Sequence, residues 1–154
     1  MAVEIERKYL VADDGWRAAN PEGIPMAQGY LSRETGRTVR VRVAGDKAWL
    51  TIKGAAEGIS RAEFEYGIPV EEGSQLLALC EPSVIDKTRF LVPHGGHVWE
   101  VDVFHGENDG LIVAEVELGD ESEQPEMPAW VGAEVSDDRR YANSSLSRTP
   151  FSRW

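Results

Sequence analysis

Apolar and charged residues alternate along short segments of this chain, and this alternation is the strongest constraint on its fold. In residues 3–8, Val3 and Ile5 alternate with Glu4, Glu6 and Lys8. The same period of two recurs in residues 38–43, 49–53, 61–66, 87–90, 100–103 and 114–118. Successive side chains of a strand point to opposite faces. The pattern therefore predicts six or seven strands, each with one apolar and one charged face.

Polar and glycine-containing segments separate the predicted strands. Residues 44–47 and 94–97 predict hairpin turns, and residues 106–110 predict a loop. Short helices are predicted at residues 14–20, at residues 74–80 with Ser74 at or near the cap, near residues 129–131, and near residues 141–146. The chain is thus predicted to be mainly antiparallel β-structure, with small helices at the connections.

The charged strand faces carry like charges in pairs. The acidic pairs are Glu4 and Glu6, Glu63 and Glu65, Glu100 and Asp102, and Glu115 and Glu117, and the basic pairs are Arg40 and Arg42, and Lys87 and Arg89. Residues two apart on a strand lie only about 7 Å from each other, so like charges there repel unless something bridges them. A divalent cation bridges carboxylates, and an oligophosphate bridges arginines. For any single pair, an ordinary solvated sheet edge is the alternative.

The lysines indicate how the charged faces are arranged. Of the four lysines, Lys8, Lys53 and Lys87 lie on charged strand faces, and only Lys47 lies in a turn. Closing the sheet into a barrel would point alternate residues inward and leave no sheet edges. The charged faces would then line a wet lumen, and the apolar faces would pack outward beneath the short helices. Charges in such a lumen need partners, because unpaired buried charge is costly.

Composition sets the broad class of protein. The chain has 154 residues, 42% of them hydrophobic, and a formal net charge of −11. One domain over residues 1–154 is expected from this length. The negative charge disfavours nucleic acid and anionic membranes as partners. No apolar leader or membrane-length apolar run is found, and Cys80 is a lone cysteine, so a cytoplasmic location is expected.

At this point the motifs resemble those of a known family. Residues 4–8, Glu-Ile-Glu-Arg-Lys, resemble the N-terminal ExExK motif of the CYTH superfamily, also called triphosphate tunnel metalloenzymes. Six further motifs follow in the family's order, at residues 40–42, 51–53, 63–65, 87–89, 100–102 and 115–117. The resemblance covers essentially the whole chain, and seven motifs in order are much more specific than ExExK alone. It implies an eight-stranded antiparallel closed β-barrel, or triphosphate tunnel, with short helices outside.

The resemblance also implies roles for the charged residues. The residues that would bind phosphate oxygens are Lys8, Arg40, Arg42, Lys53, Lys87 and Arg89. The residues that would hold a metal are Glu4, Glu6, Glu115 and Glu117, with Asp102 near a second metal and Glu63 and Glu65 as further candidates. Carboxylate oxygens suit Mg²⁺ or Mn²⁺, and guanidinium forks suit phosphate.

Within the family, residues 4–11 and residues 28–31, Gln-Gly-Tyr-Leu, look most like the small bacterial inorganic tripolyphosphatases. In that subgroup a tyrosine at the position of Tyr30 is proposed to pair with the lysine at the position of Lys8 as proton acceptor. A nearby ammonium stabilises a phenolate, which could take the proton of an attacking water. The alternative for Tyr30 is a core aromatic residue. The implied reaction is hydrolysis of the terminal phosphoanhydride of tripolyphosphate, with metal and arginines neutralising the developing charge.

Other functions remain open at this level. A thiamine triphosphatase or a nucleoside triphosphatase would use the same charged residues. A class IV adenylate cyclase would also need an adenine site, which no feature of the sequence provides. A non-catalytic polyphosphate-binding module would need the bases but not the acid pairs. A homodimer is a further expectation, because a barrel with apolar outer faces offers surface for a second copy.

Overall fold

The structure is a computed structural model, and it describes residues 3–80 and 84–154. Its strands are β1 (Val3–Val11), β2 (Gly23–Glu34), β3 (Arg37–Ala44), β4 (Lys47–Lys53), β5 (Ser60–Ile68), β6 (Ile85–His94), β7 (His97–Phe104), β8 (Ile112–Glu117) and β9 (Val131–Glu134). The α-helices are α1 (Val70–Leu77) and α2 (Asn143–Arg148). Short 3₁₀ helices occupy Asp14–Ala19, Gly106–Asn108, Arg139–Tyr141 and Phe151–Arg153.

Eight of these strands form a closed antiparallel ring in the order β1-β5-β4-β3-β2-β6-β7-β8. The ring closes where Glu4 of β1 lies opposite Arg61 of β5. On its other side β1 pairs with β8, with Lys8 opposite Glu115. A closed ring leaves no edge strand along this seam, and it points alternate residues inward. The predicted eight-stranded antiparallel architecture is confirmed.

The ninth strand was not predicted. β5 pairs only with the first residues of β1, and β9 pairs with the other half of that strand, with Tyr9 opposite Glu134. The helix predicted near residues 129–131 is wrong, because the chain there makes a turn, with the Val131 amide donating to the Pro128 carbonyl, and enters β9. The unpaired backbone groups of the long strand β1 give this short segment an extended partner.

The helix predicted at residues 74–80 is displaced in the structure. α1 begins after Pro69 and ends at Leu77, so Ser74 lies inside the helix and does not cap it. Glu71 and Glu72 occupy the first turn, where the helix dipole favours acids. Gly73 faces the sheet so closely that an added Cβ would lie 2.5 Å from the Ala48 Cβ. This close approach packs the helix against β3 and β4 on the outside of the ring.

The other predicted helices are confirmed in place, and one ring strand was missed. Residues 14–20 form the turn Asp14–Ala19, and residues 141–146 overlap the turn Arg139–Tyr141 and helix α2. β2 was missed because its sequence contains Pro25 and Gly29 and does not alternate. Its pairing also shifts register between Tyr30 and Ser32. A strand that is irregular in sequence and in register leaves little period-two signal.

The outer face of the ring is apolar, as predicted. On the side of β1, β8, β7 and β6, the residues Trp99, Val101 and Ala114 are completely buried. They lie in a cluster with Trp16 and Trp130, which come from segments outside the ring. Burial of these aromatic side chains supplies much of the apolar contact area on this side of the ring.

A second apolar cluster lies inside the ring, at one end. It contains Ile85, Phe104 and Val113 from three ring strands, together with Leu111 and Leu146. Leu146 belongs to α2, so the C-terminal segment covers this end of the lumen. Within residues 3–80 and 84–154, no helix combines the length and the apolar character that crossing a bilayer requires.

Candidate active site

The predicted phosphate-binding residues share the inner face of the ring. The structure brings together Lys8 of β1, Arg40 and Arg42 of β3, Lys53 of β4, and Lys87 and Arg89 of β6. Arg40 and Arg89 are each 7% exposed, and Lys87 is 1% exposed. Arg40 and Arg42 alternate with the apolar residues Val39, Val41 and Val43, which point outward from the same strand. Strand periodicity and ring closure together therefore concentrate the positive charge in the lumen.

Asp102 of β7 holds two of these cations. Its Oδ2 lies 2.8 Å from the Lys87 Nζ, and its two oxygens accept from the Arg89 Nε at 2.8 Å and Nη2 at 2.9 Å. Burial alone would raise the pKa of Asp102, but Lys87 and Arg89 outweigh it, and the pKa of this carboxyl is lowered. Burial lowers the pKa of Lys87 to about 7, opposed in part by Asp102.

A second group of ion pairs lies where β1 meets β4 and β5. The Lys53 Nζ lies 2.8 Å from Glu4 Oε2 and 3.4 Å from Glu63 Oε2. Burial would raise the pKa of Glu4, but the Lys53 charge and hydrogen bonds outweigh it, and this pKa is lowered. The carboxylate of Glu4 is therefore held ionised beside Lys53.

Glu6 lies between two other carboxylates of the lumen. Its pKa is raised well above the ordinary value, first by burial and then by the charges of Glu115 and Glu4. The pKa of Glu115 is lowered well below its ordinary value, because Lys8 and Arg89 outweigh the effect of burial. Three carboxylates thus converge, and burial together with the two neighbouring charges disfavours the ionised form of the middle one. A site with this excess of negative charge attracts a cation.

Lys8 and Tyr30 line one small cavity. The cavity measures about 50 Å³, and Glu6, Arg40 and Arg61 also line it. The Lys8 Nζ donates to the Tyr141 carbonyl at 3.1 Å and lies 3.6 Å from Glu115 Oε1. Burial lowers the pKa of Lys8, but Glu115, Glu6 and Tyr30 outweigh it, so the net pKa is raised. The ammonium of Lys8 therefore stays charged in the same cavity as the phenol.

The two arginines of β3 differ in their partners. The Arg40 Nη2 lies 3.7 Å from Glu65 Oε2 and donates to the Thr51 hydroxyl at 3.3 Å. The Arg42 Nε donates instead to the neutral Gln28 Oε1 at 2.9 Å. Burial lowers the pKa of Arg42 to about 10, and the neighbouring Arg40 and Arg89 charges add to this effect. Positive charge is therefore least compensated at Arg42.

The comparison with family models shows which family the chain belongs to. The model described as the CYTH domain matches residues 2–150. The chain belongs to the CYTH family. The closed ring with its charged lumen and the order of the paired motifs both agree with this membership.

Relatives with functional names cover almost the whole chain. It is 46% identical over 152 residues to an inorganic triphosphatase of Acetivibrio thermocellus, covering 98% of this chain and 97% of the relative. It is 38% identical over 151 residues to an inorganic triphosphatase of Nitrosomonas europaea, covering 94% and 96%. A crystal structure of the inorganic triphosphatase NE1496 is similar, with a TM-score of 0.65, 34% identity, and coverage of 94% of this chain and 97% of that chain.

The predicted metal ligands differ in where the structure of this CYTH protein places them. Glu4, Glu6 and Glu115 converge, whereas the Asp102 carboxylate accepts hydrogen bonds from Lys87 and Arg89. Glu117 is exposed and lies opposite Glu6 in the β1–β8 pairing. Glu63 contacts Lys53, and Glu65 contacts Arg40.

No group of three or more acidic, histidine or cysteine side chains in residues 3–80 and 84–154 is already arranged to hold a metal ion. Lys53 and Lys8 contact two of the three converging carboxylates. The donor chemistry nevertheless fits a hard divalent cation, because the three groups are carboxylates, whose oxygens are hard ligands. Metal binding there would require Glu4 and Glu115 to exchange lysine contacts for the ion.

Three lumenal residues were missed as site residues. Arg61 lies opposite Glu4 and lines the cavity of Lys8, and Asn143 Oδ1 accepts from the Lys87 Nζ at 3.4 Å. Gln28 contacts Arg42. Arg61 precedes Glu63 by two residues on a predicted charged face, so the same alternation could have identified it. Asn143 belongs to the C-terminal segment, and no local pattern indicates that this segment reaches the lumen.

Proposed function

We propose that this protein is a divalent-metal-dependent inorganic triphosphatase that hydrolyses the terminal phosphoanhydride of tripolyphosphate inside the ring. One observation carries the proposal: six basic side chains share a closed lumen with a convergent group of carboxylates. The names of the two relatives and of the similar crystal structure support the choice of substrate. The chemistry of phosphoryl transfer needs mainly positioning and charge neutralisation, which such a lumen provides.

The basic residues bind and orient the substrate in this proposal. Arg40, Arg42 and Arg89 offer planar forks that match two phosphate oxygens, and Lys53 and Lys87 act as point charges. Asp102 keeps Lys87 and Arg89 in place through its buried hydrogen bonds. A short polyanion that enters this lumen exchanges water for several charged donors at once.

Glu4, Glu6 and Glu115 would hold the metal, Mg²⁺ or Mn²⁺. Bound there, the ion would supply charge neutralisation for phosphate oxygens. Glu117 lies beside this group and is the next candidate ligand, because it faces Glu6 across the β1–β8 pairing. Asp102, Glu63 and Glu65 remain proposals for a second metal, and their cationic partners in the structure favour an orienting role for them.

Tyr30 and Lys8 are proposed to activate the attacking water. Both residues line the same cavity, and Lys8 is charged there. A phenolate stabilised by this ammonium takes one proton from the water as its oxygen attacks the terminal phosphorus. The bond to the leaving diphosphate breaks, so the products are phosphate and diphosphate, and no covalent enzyme intermediate is needed.

The experiment that tests this function measures release of phosphate from tripolyphosphate, ATP and thiamine triphosphate at equal concentration, with Mg²⁺ and with Mn²⁺. The proposal expects tripolyphosphate to have the highest kcat/KM and activity to disappear in a metal chelator. Faster turnover of thiamine triphosphate or a nucleotide would show that tripolyphosphate is not the preferred substrate. The proposed set of site residues would be unaffected by that result. Cyclic AMP formed from ATP would favour a cyclase, and tight binding without hydrolysis would favour a binding module.

Partners and location stay predictions. A homodimer would find exposed apolar side chains at Ile52, Phe64 and Tyr66 on the outer face of β4 and β5. Nucleic acid and membranes are disfavoured by the net charge of −11. One CYTH domain over residues 1–154 and a cytoplasmic location complete the proposal.

A further inference from the structure

Gln28 is a neutral residue in the middle of the charged lumen wall. It lies on β2, directly opposite Arg42 on one side and Ile85 on the other. Its exposure is 0%, and it lies two residues from Tyr30 on the same strand face. A completely buried amide needs partners for both its oxygen and its nitrogen, because an unsatisfied polar group is costly.

The two ends of the Gln28 amide have different partners. Its Oε1 accepts from the Arg42 Nε at 2.9 Å, whereas its buried Nε2 has no hydrogen-bond partner within residues 3–80 and 84–154. The orientation of the amide follows from chemistry, because the Arg42 Nε only donates and the other orientation would place two donors together. Ile85 offers no side-chain acceptor on the other side. The amide N–H₂ is thus a donor that the described part of the chain leaves unpaired.

Arg42 is also unusual among the lumenal bases. Within residues 3–80 and 84–154, the other five predicted phosphate-binding residues each lie within 4.0 Å of an acidic oxygen. The described contacts of Arg42 include no such acid, and its side-chain partner is Gln28. Gln28 and Arg42 together form a patch of hydrogen-bond donors with no ion-pair partner within 4.0 Å among the described residues, which is the chemistry that a phosphate group requires.

We infer that Gln28 is a phosphate-binding residue: its Oε1 orients Arg42, and its Nε2 donates to an oxygen of the phosphate group that Arg42 binds. This inference rests on the proposed triphosphatase function and extends the binding site to a residue without charge. A neutral amide suits this position because it accepts from Arg42 without neutralising it. A glutamate would keep the acceptor, remove the donor and repel the phosphate.

The test compares Gln28→Met and Gln28→Glu with the wild-type protein, using tripolyphosphate as the probe. KM and kcat are measured with Mn²⁺, and the dissociation constant is measured by calorimetry in a chelator. We expect the KM and the dissociation constant for tripolyphosphate to rise about tenfold in Gln28→Met and about a hundredfold in Gln28→Glu. In both variants kcat should change less than KM. Gln75→Glu is the matched control, because Gln75 is exposed on α1 and should leave both constants unchanged.

The outcomes separate the inference from the proposed function. If the wild-type protein is active and Gln28→Glu binds as tightly as wild type, Gln28 does not donate to phosphate and the inference is wrong. An unchanged KM in Gln28→Met overturns the role in orienting Arg42 as well. If the wild-type protein neither binds nor hydrolyses tripolyphosphate, the proposed function fails, and the inference fails with it. Gln28→Glu keeps the acceptor for Arg42, so it tests the donor even if Gln28→Met does not fold.

Discussion

Lys87 and Asp102 form an ion pair that solvent does not reach. The Lys87 Nζ and the Asp102 Oδ2 are 2.8 Å apart, and the two side chains are 0% and 1% exposed. Arg89 shares the same carboxylate through two hydrogen bonds. One acid thus supports two of the proposed phosphate-binding residues, and the effect of removing this acid on stability can be measured without substrate.

Asp102→Asn should destabilise the protein by about 3–5 kcal/mol, because it leaves the buried Arg89 guanidinium without its bidentate counter-charge and Lys87 without an anionic partner. Urea denaturation at neutral pH measures the change. Asp138→Asn is the control, since Asp138 pairs with Arg140 at the surface and its loss should change stability little. Equal stability of the two variants would show that the lumenal ion pair contributes nothing net.

Stability should depend on pH through Lys87. Burial lowers the pKa of Lys87 from 10.5 to about 7, so between these values the unfolded chain binds a proton that the folded chain does not. The free energy of unfolding therefore gains a contribution that increases as pH rises from 7 to 10. Urea midpoints across this range should rise more steeply for the wild-type protein than for Lys87→Met. Parallel slopes for the two proteins would contradict the lowered pKa.

Glu6→Gln should make the protein more stable and less active. The raised pKa of Glu6 means that its contribution to stability is complete below pH 4.5 and is lost as pH rises through the raised value. A glutamine at this position stays neutral, so the loss of stability does not occur at pH 7. We expect the free energy of unfolding in a metal-free buffer to rise by about 1 kcal/mol. Glu117→Gln, at the exposed position opposite, should leave the melting temperature nearly unchanged. A less stable Glu6→Gln protein would contradict the burial of excess negative charge.

The same Glu6→Gln variant should also lose affinity for the metal and most of its hydrolytic activity, because a carboxylate ligand is gone. Titration with Mn²⁺ and phosphate release measure these two losses. Normal metal binding and normal hydrolysis would remove Glu6 from the metal site.

Tyr30→Phe should lower kcat by about 10²-fold or more, with little change in KM, because it removes the proposed proton acceptor and keeps the ring. Steady-state kinetics between pH 6 and 10 measure both constants. Tyr66→Phe is the matched control, since Tyr66 is 55% exposed on the outer face of β5. Full activity of Tyr30→Phe across this range would show that another group accepts the proton.

Arg42→Ala should raise KM by the equivalent of about 1–3 kcal/mol, the value of a charge-assisted contact with phosphate. Arg37→Ala lies on the same strand but is exposed, with Glu34 as its partner, and should not change KM. If the two variants have the same KM, the guanidinium of Arg42 does not bind the substrate.

Prediction from the sequence succeeded for the strands in which apolar and charged residues alternate, because this local pattern also indicates which side of the sheet faces inward. Strict alternation identified seven of the eight ring strands, and paired charges identified which faces turn inward. It failed at β2, where Pro25 and the register shift near Tyr30 remove the alternation. It also failed at residues 129–131, where the backbone of β1 determines the conformation, and at α1, whose bounds depend on the contact between Gly73 and Ala48.

The sequence by itself determined the architecture and the family, because the period of two is visible in each strand alone. When the sheet closes into a ring, one of the two alternating faces lines the lumen and the other faces outward. Only the tertiary structure decided which charges meet. It paired Asp102 with Lys87 and Arg89 and gathered Glu4, Glu6 and Glu115. Among the residues it describes, it left the Gln28 Nε2 without an acceptor. The physical reason is that register between distant strands fixes side-chain neighbours to within a few ångströms. Electrostatic interactions in a buried lumen depend on those distances.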